Sequence, residues 1–354
     1  MRSRFNGLRS QVWELPNGKQ KMSVMEEAIR VADEHLTPSD AYEARMSYSN
    51  MAVDSGYPER LLVSFSWCLA EFDRSPGEHS AHMIMWHYKW VLGKVWQLSQ
   101  IGTGEIERIF ADFKERCLKL GYSLRPYYQQ LVNYNLAKGE LVEAQRCYKE
   151  WKTAKRDHFS DCSACEQNLY GRYYFDLNQN KRGMRLLKPI LEGKIRCRSV
   201  PQTTYVSMIE PLLKMGQFEQ AKETAKKAIR SLEGAAYLTE FGLMLEYYAL
   251  ADMPKAVKLI ERTLPFGLEC RMPWTRLQYF VSVRLFLQQW HSLGRRRKLA
   301  IPAHVTSEWV EQEIARLAEA FDRRNGNSYC RTLAASKERQ MIKLKAAYAA
   351  WNKR

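Results

Sequence analysis

Residues 214–232, KMGQFEQAKETAKKAIRSL, read as the end of one helix, a polar turn and the opening of a second helix. Ala221 comes one turn into the second helix, and Ala225 and Ala228 continue the pattern. Small side chains there let a helix approach its partner closely, where larger ones would hold the two apart. The turn recurs: GELVEA ends at Ala144, NQNKRG at Gly183 and ADMPKA at Ala256, giving spacings of 39, 38 and 35 residues. Weaker copies, GYPERL ending at Leu61 and GTGEIE around Ile106, lie upstream. A repeated interval of this length is a helix-pair period.

Apolar residues recur at helical spacing almost throughout, and alternating stretches flanked by hairpin turns are scarce, so the fold is predicted to be all-α. Candidate helices follow one another from 21–36 to 273–292, and a last one, 305–350, is broken around Asn325-Gly326-Asn327. The period falls near a tetratricopeptide (TPR) unit of roughly 34 residues with slightly lengthened loops. The expected architecture is a TPR-like right-handed superhelix of stacked helix pairs with a helical C-terminal cap. It divides into an N-terminal arm (1–20), a repeat domain (21–292) and a basic C-terminal segment (293–354).

Four segments together resemble a group of bacterial tetratricopeptide-like proteins: FSWCLAEFDRSP (65–76), WHYKWVLG (86–93), SDCSACEQ (160–167) and IRCRSVPQTTYVSMIEPLLKMGQFEQA (195–221). The resemblance covers roughly residues 40–290. It implies a helical-repeat fold and carries no assigned reaction.

Composition narrows the classes further. The chain has 354 residues, with 45% hydrophobic and 27% charged side chains, which is a globular and not a disordered composition. No apolar run approaches the roughly 20 residues that span a bilayer, and the Arg-bearing N-terminus is followed by no apolar stretch, so a cytoplasmic protein is expected. Eight Cys, mostly scattered singly, are then reduced thiols by default. Motifs for phosphate loops, zinc proteases, nucleophile elbows and dinucleotide sites are missing, and a non-enzymatic role is expected.

The sharpest local signal is Cys162-Ser-Ala-Cys165 followed by Cys197. Two thiolates separated by two residues can hold one Zn²⁺ from a turn, with Cys197 as third ligand and His158 or Cys147 as fourth. No second C-x-x-C completes the pattern, so a redox pair and plain buried thiols remain open beside zinc. His79, His82 and His87 form a weaker ligand set, set among Trp86, Tyr88 and Trp90 in what reads as a packed helix.

Protein recognition is the expected function, with a partner segment bound on a concave face. Neighbouring tyrosines at i and i+1 point in different directions, so Tyr173/Tyr174 and Tyr247/Tyr248 are each predicted to send one phenol inward and one to the surface. Arg172, Asn135 and Gln278 would line the same surface. The alternative partner is nucleic acid. The net charge is +16, and residues 291–354 hold half of that excess, including Arg295, Arg296, Arg297 and Lys298 in one run that could meet phosphates.

Overall fold

The computed structural model describes residues 1–197, 199–294 and 298–353. These hold seventeen α-helices and no strand, in two compact units. Unit 1 takes Met1–Ser160 with Gly234–Ala236 and Arg271–Pro273. Its helices are α1 (Arg2–Glu14), α2 (Lys19–His35), α3 (Pro38–Ser55), α4 (Glu59–Arg74), α5 (Ala81–Val95), α6 (Thr103–Lys119), α7 (Arg125–Lys138) and α8 (Leu141–Thr153). Unit 2 begins at Asp161. It holds α9 (Ser163–Asp176), α10 (Asn180–Leu191), α11 (Gln202–Lys214), α12 (Phe218–Ile229), α13 (Leu238–Ala251), α14 (Met253–Glu269), α15 (Pro273–Ser292), α16 (Ser307–Asn325) and α17 (Tyr329–Asn352). The sequence alone draws its boundaries at 20 and 292, whereas the packing groups the helices on either side of residue 160.

The turn seen first in the sequence is built the same way in three copies, and the Gly56 turn of GYPERL matches them, with φ 85° and the Tyr57 N–H on Ala52 O at 2.8 Å. Helix α7 ends on Gly139, α9 on Leu177-Asn178 and α11 on Met215-Gly216, and Gly139, Asn178 and Gly216 all take positive φ (80°, 55° and 73°). In each turn the next residue sends its N–H back to a carbonyl five residues earlier: Glu140 to Asn135, Gln179 to Tyr174, and Gln217 to Leu212, at 2.8–2.9 Å. That pair of features is a Schellman closure, and it needs a residue that tolerates the left-handed region. Asn178 fills the role that Gly plays in the other two copies, because Asn visits that region more readily than other side chains.

The residues one turn into the following helices also repeat. Ala144, Gly183, Ala221 and Ala256 each occupy the fourth position of α8, α10, α12 and α14, and all four are buried. Gly183 is a stricter version of the Ala rule, since a Cβ there would run into the Phe175 ring and the Gly171 backbone of α9. Consecutive helices pair throughout: α7 with α8, α9 with α10, α11 with α12, and α13 with α14. The architecture is therefore all-α, with adjacent helices packed as repeated pairs.

Residues 2–14, within the expected N-terminal arm, form α1. Phe5 and Val12 are buried in a cluster with Met22, Met25, Ala28, Tyr48 and Met51. Leu8 packs partly buried beside them, so Phe5, Leu8 and Val12 anchor that helix at helical spacing in an otherwise polar stretch.

In unit 2 the first helices of successive pairs contact one another, α9 with α11 and α11 with α13. Thr204 donates to Asn168 Oδ1 at 2.7 Å between α11 and α9. Gly242 of α13 closes on Ser282 of α15, whose hydroxyl donates to Glu246 Oε1 at 2.7 Å. Helix α17 leaves α16 and packs on α13 and α11 as well. No helix among the described residues is long and apolar enough to cross a membrane.

Candidate functional site

The three predicted thiols meet in unit 2. Cys162 is the N-cap of α9, and its Sγ accepts the backbone N–H of Cys165 at 3.4 Å. This bond follows from the C-x-x-C spacing, because a capping side chain faces the N–H of the third helical residue. Cys197 comes from the α10–α11 connection, where its N–H donates to Val200 O at 3.0 Å. Cys165 Sγ and Cys197 Sγ are 3.4 Å apart, and the three sulfurs lie within 4.8 Å of one another. Among the described residues these three thiols are the group gathered closely enough to hold a metal ion.

The thiols differ electrostatically. Burial, together with the neighbouring Cys162 and Cys197, pushes the Cys165 thiol well up. Burial also opposes ionisation of Cys197, but the N–H groups of Ser199 and Val200 and the Cys165 and Cys162 thiols outweigh it and bring Cys197 below the ordinary thiol value. Of the other five cysteines, Cys68, Cys117, Cys147 and Cys330 are buried and Cys270 is half-buried.

The two predicted fourth ligands have other surroundings in unit 1. The His158 ring lies 5.4 Å from His82 and 5.5 Å from Tyr122, in an aromatic group with Phe159. Cys147 donates to Glu143 Oε1 at 3.5 Å and takes the Asn135 amide at 3.8 Å. The histidines of the second set part company: His79 stacks on Tyr42, His82 joins the His158 group, and His87 meets Asn50 and Trp90.

The tyrosine expectation is corrected. Tyr173, Tyr174, Tyr247 and Tyr248 are all buried, at 3–7% exposure. A first helix in this stack has its own pair partner on one side and further helices on others, so positions i and i+1 both meet protein. Arg182 lies over the Tyr174 ring at 4.1 Å. Asn135 is buried and bonds to Leu131 O. Arg172 is exposed and Gln278 half-buried. Of the basic run, Lys298 is exposed, and Arg295, Arg296 and Arg297 lie outside the described residues.

A charged group that sequence reading missed sits where α17 meets the first helices of unit 2. Lys337 Nζ bonds to Glu210 of α11 at 2.5 Å and to Glu246 of α13 at 3.2 Å, and Lys214 reaches Glu210 at 2.7 Å. Burial disfavours ionisation of Glu210, yet Lys337 and Lys214 hold its carboxyl far below the usual range. Asp176 is exposed at its side chain, with protein atoms crowded around it. That crowding raises its carboxyl against the pull of Arg172, with Glu210 adding to the rise. Along α17, Arg284 donates to Ala334 O at 2.6 Å, Gln288 to Glu338 at 2.9 Å, and Phe218 packs on Tyr348 and Trp351, each 5.5 Å between ring centres. The available signal was acids inside apolar runs, MIEPLL and MLEYYAL, which asks for a partner that the local sequence does not supply.

Compared with known proteins, the chain matches no family model and no curated relative.

Proposed function

We propose that the chain is a non-catalytic, TPR-like interaction scaffold that holds a helical segment of a partner protein on the first helices of unit 2. The observation that carries this reading is α17 itself. That helix crosses α11 and α13 on a lysine shared by two glutamates, and it ends on an aromatic anchor at Phe218. Surfaces that seat one helix in this way favour another of like chemistry, here a basic residue followed about three turns later by Tyr or Trp. The segment would exchange with α17, and the receptor would lose little entropy because its paired helices are already in place. The proposal takes the chain as cytoplasmic, where its thiols stay reduced. A zinc ion at the three thiols would fasten the α10–α11 connection to the start of α9.

Photo-crosslinking in the native cell tests the reading. A crosslinking residue at the exposed position of Arg172 should trap one discrete protein, and an excess of a synthetic 329–353 peptide should suppress that product. The same residue at Val142, 85% exposed in unit 1, should trap none. Equal trapping from both positions, or recovery of nucleic acid alone, would overturn it.

A further inference from the structure

Cys162 and Cys197 come from separate segments, the start of α9 and the α10–α11 connection. In Cys162-Ser-Ala-Cys165 the sulfur of the first residue accepts the N–H of the last. In the α10–α11 connection the Cys197 N–H returns to Val200 O at 3.0 Å. The thiolate is the form that binds metal, and a bound Zn²⁺ itself supplies the charge that deprotonates its thiols. Cys162 and Cys165 open helix α9, and the helix start fixes both sulfurs in place.

The spacing of the sulfurs fits an ion. Zn–S bonds of about 2.3 Å in a tetrahedron put sulfurs roughly 3.8 Å apart. The Cys165–Cys197 separation of 3.4 Å and a set gathered within 4.8 Å are compatible with that value. A full knuckle pair would carry a fourth thiol three residues after Cys197, and Val200 stands there instead, 1% exposed. No other His, Cys, Asp or Glu among the described residues joins the group.

We propose that Cys162, Cys165 and Cys197 form a three-thiolate Zn²⁺ site whose fourth coordination position is left to a small exogenous ligand. Three protein ligands plus one exchangeable position is the open arrangement, in contrast to the closed four-ligand site of a purely structural zinc. The ligands come from the start of α9 and from the α10–α11 connection, so the ion ties one helix pair to the next. The exchangeable ligand is a water or another small donor such as an imidazole or a thiol. This inference does not depend on the interaction reading.

Cobalt substitution of the reduced, metal-free full chain is the test. One Co²⁺ per chain is expected, with a thiolate-to-metal charge-transfer band, the intense visible bands of a four-coordinate ion, and displacement by Zn²⁺. Added imidazole should shift the visible bands. Cys165→Ser and Cys197→Ser should each weaken binding by more than about 100-fold, beyond the roughly 10–100-fold that loss of an outer partner costs. Cys270→Ser should leave it unchanged. The variant V200C should tighten binding and abolish the imidazole response. A reduced chain that takes up no stoichiometric Co²⁺, or takes it up equally without Cys165 and Cys197, overturns the site. Uptake with bands indifferent to imidazole overturns the open position.

Discussion

His87 is fully buried in α5, with its Nε2 3.2 Å from Asn50 Oδ1. Burial lowers its pKa to about 4, so the ring is neutral in the folded chain at neutral pH. The folded value lies below the ordinary 6.5, and the unfolded chain therefore takes the proton first. Stability associated with this ring is complete above about pH 6.5 and is lost as the pH falls toward 4. The shift corresponds to at most about 3 kcal/mol. His87→Gln should be somewhat less stable at pH 7.5 and should lose about 2–3 kcal/mol less than the parent between pH 7 and 4; urea unfolding at a series of pH values measures the difference. A parallel pH dependence in parent and variant would contradict the assignment. At this scale the thiols were legible, because a C-x-x-C at a helix start fixes two sulfurs locally. The tyrosines were not, since which side of a helix is outside depends on every neighbouring helix.

Helix α17 begins on a cap that comes from another helix. The buried Asp322 carboxylate of α16 accepts the N–H of Cys330 at 2.7 Å and of Arg331 at 3.3 Å, and it pairs with the Arg331 guanidinium at 2.9 Å. Two of the N–H groups that every helix start leaves without an intrahelical partner are satisfied in this way. Asp322→Ala strands them and should destabilise the C-terminal helices by about 2–3 kcal/mol, as for hydrogen bonds to a charged group. Hydrogen exchange should speed up in α17 while α9 and α10 keep their protection; uniform acceleration through unit 2 would contradict this. The helix break itself was readable at Asn325-Gly326-Asn327, where Gly326 takes φ 68°. The repeated turns were readable too, down to the small residue at the fourth position. The cap was not, because Asp322 looks like any polar helix residue until α17 folds back.

Across the whole chain, local signals fix the helices and their pairing and leave the grouping open. The turn at Gly139 in unit 1 and the turns at Asn178 and Gly216 in unit 2 have the same backbone form, so nothing in them marks the division near residue 160. Equally, Lys337 and Glu210 are 127 residues apart, and no pattern of short range announces that the C-terminal helix returns to α11 and α13. Chain lacking residues 329–354, with its helicity confirmed by circular dichroism, can be titrated with a synthetic peptide of residues 329–353. The account predicts saturable one-to-one binding that Lys337→Glu in the peptide weakens at least ~10-fold, or about 1.4 kcal/mol. A folded, truncated chain that ignores the peptide, or binds both peptides alike, would contradict it.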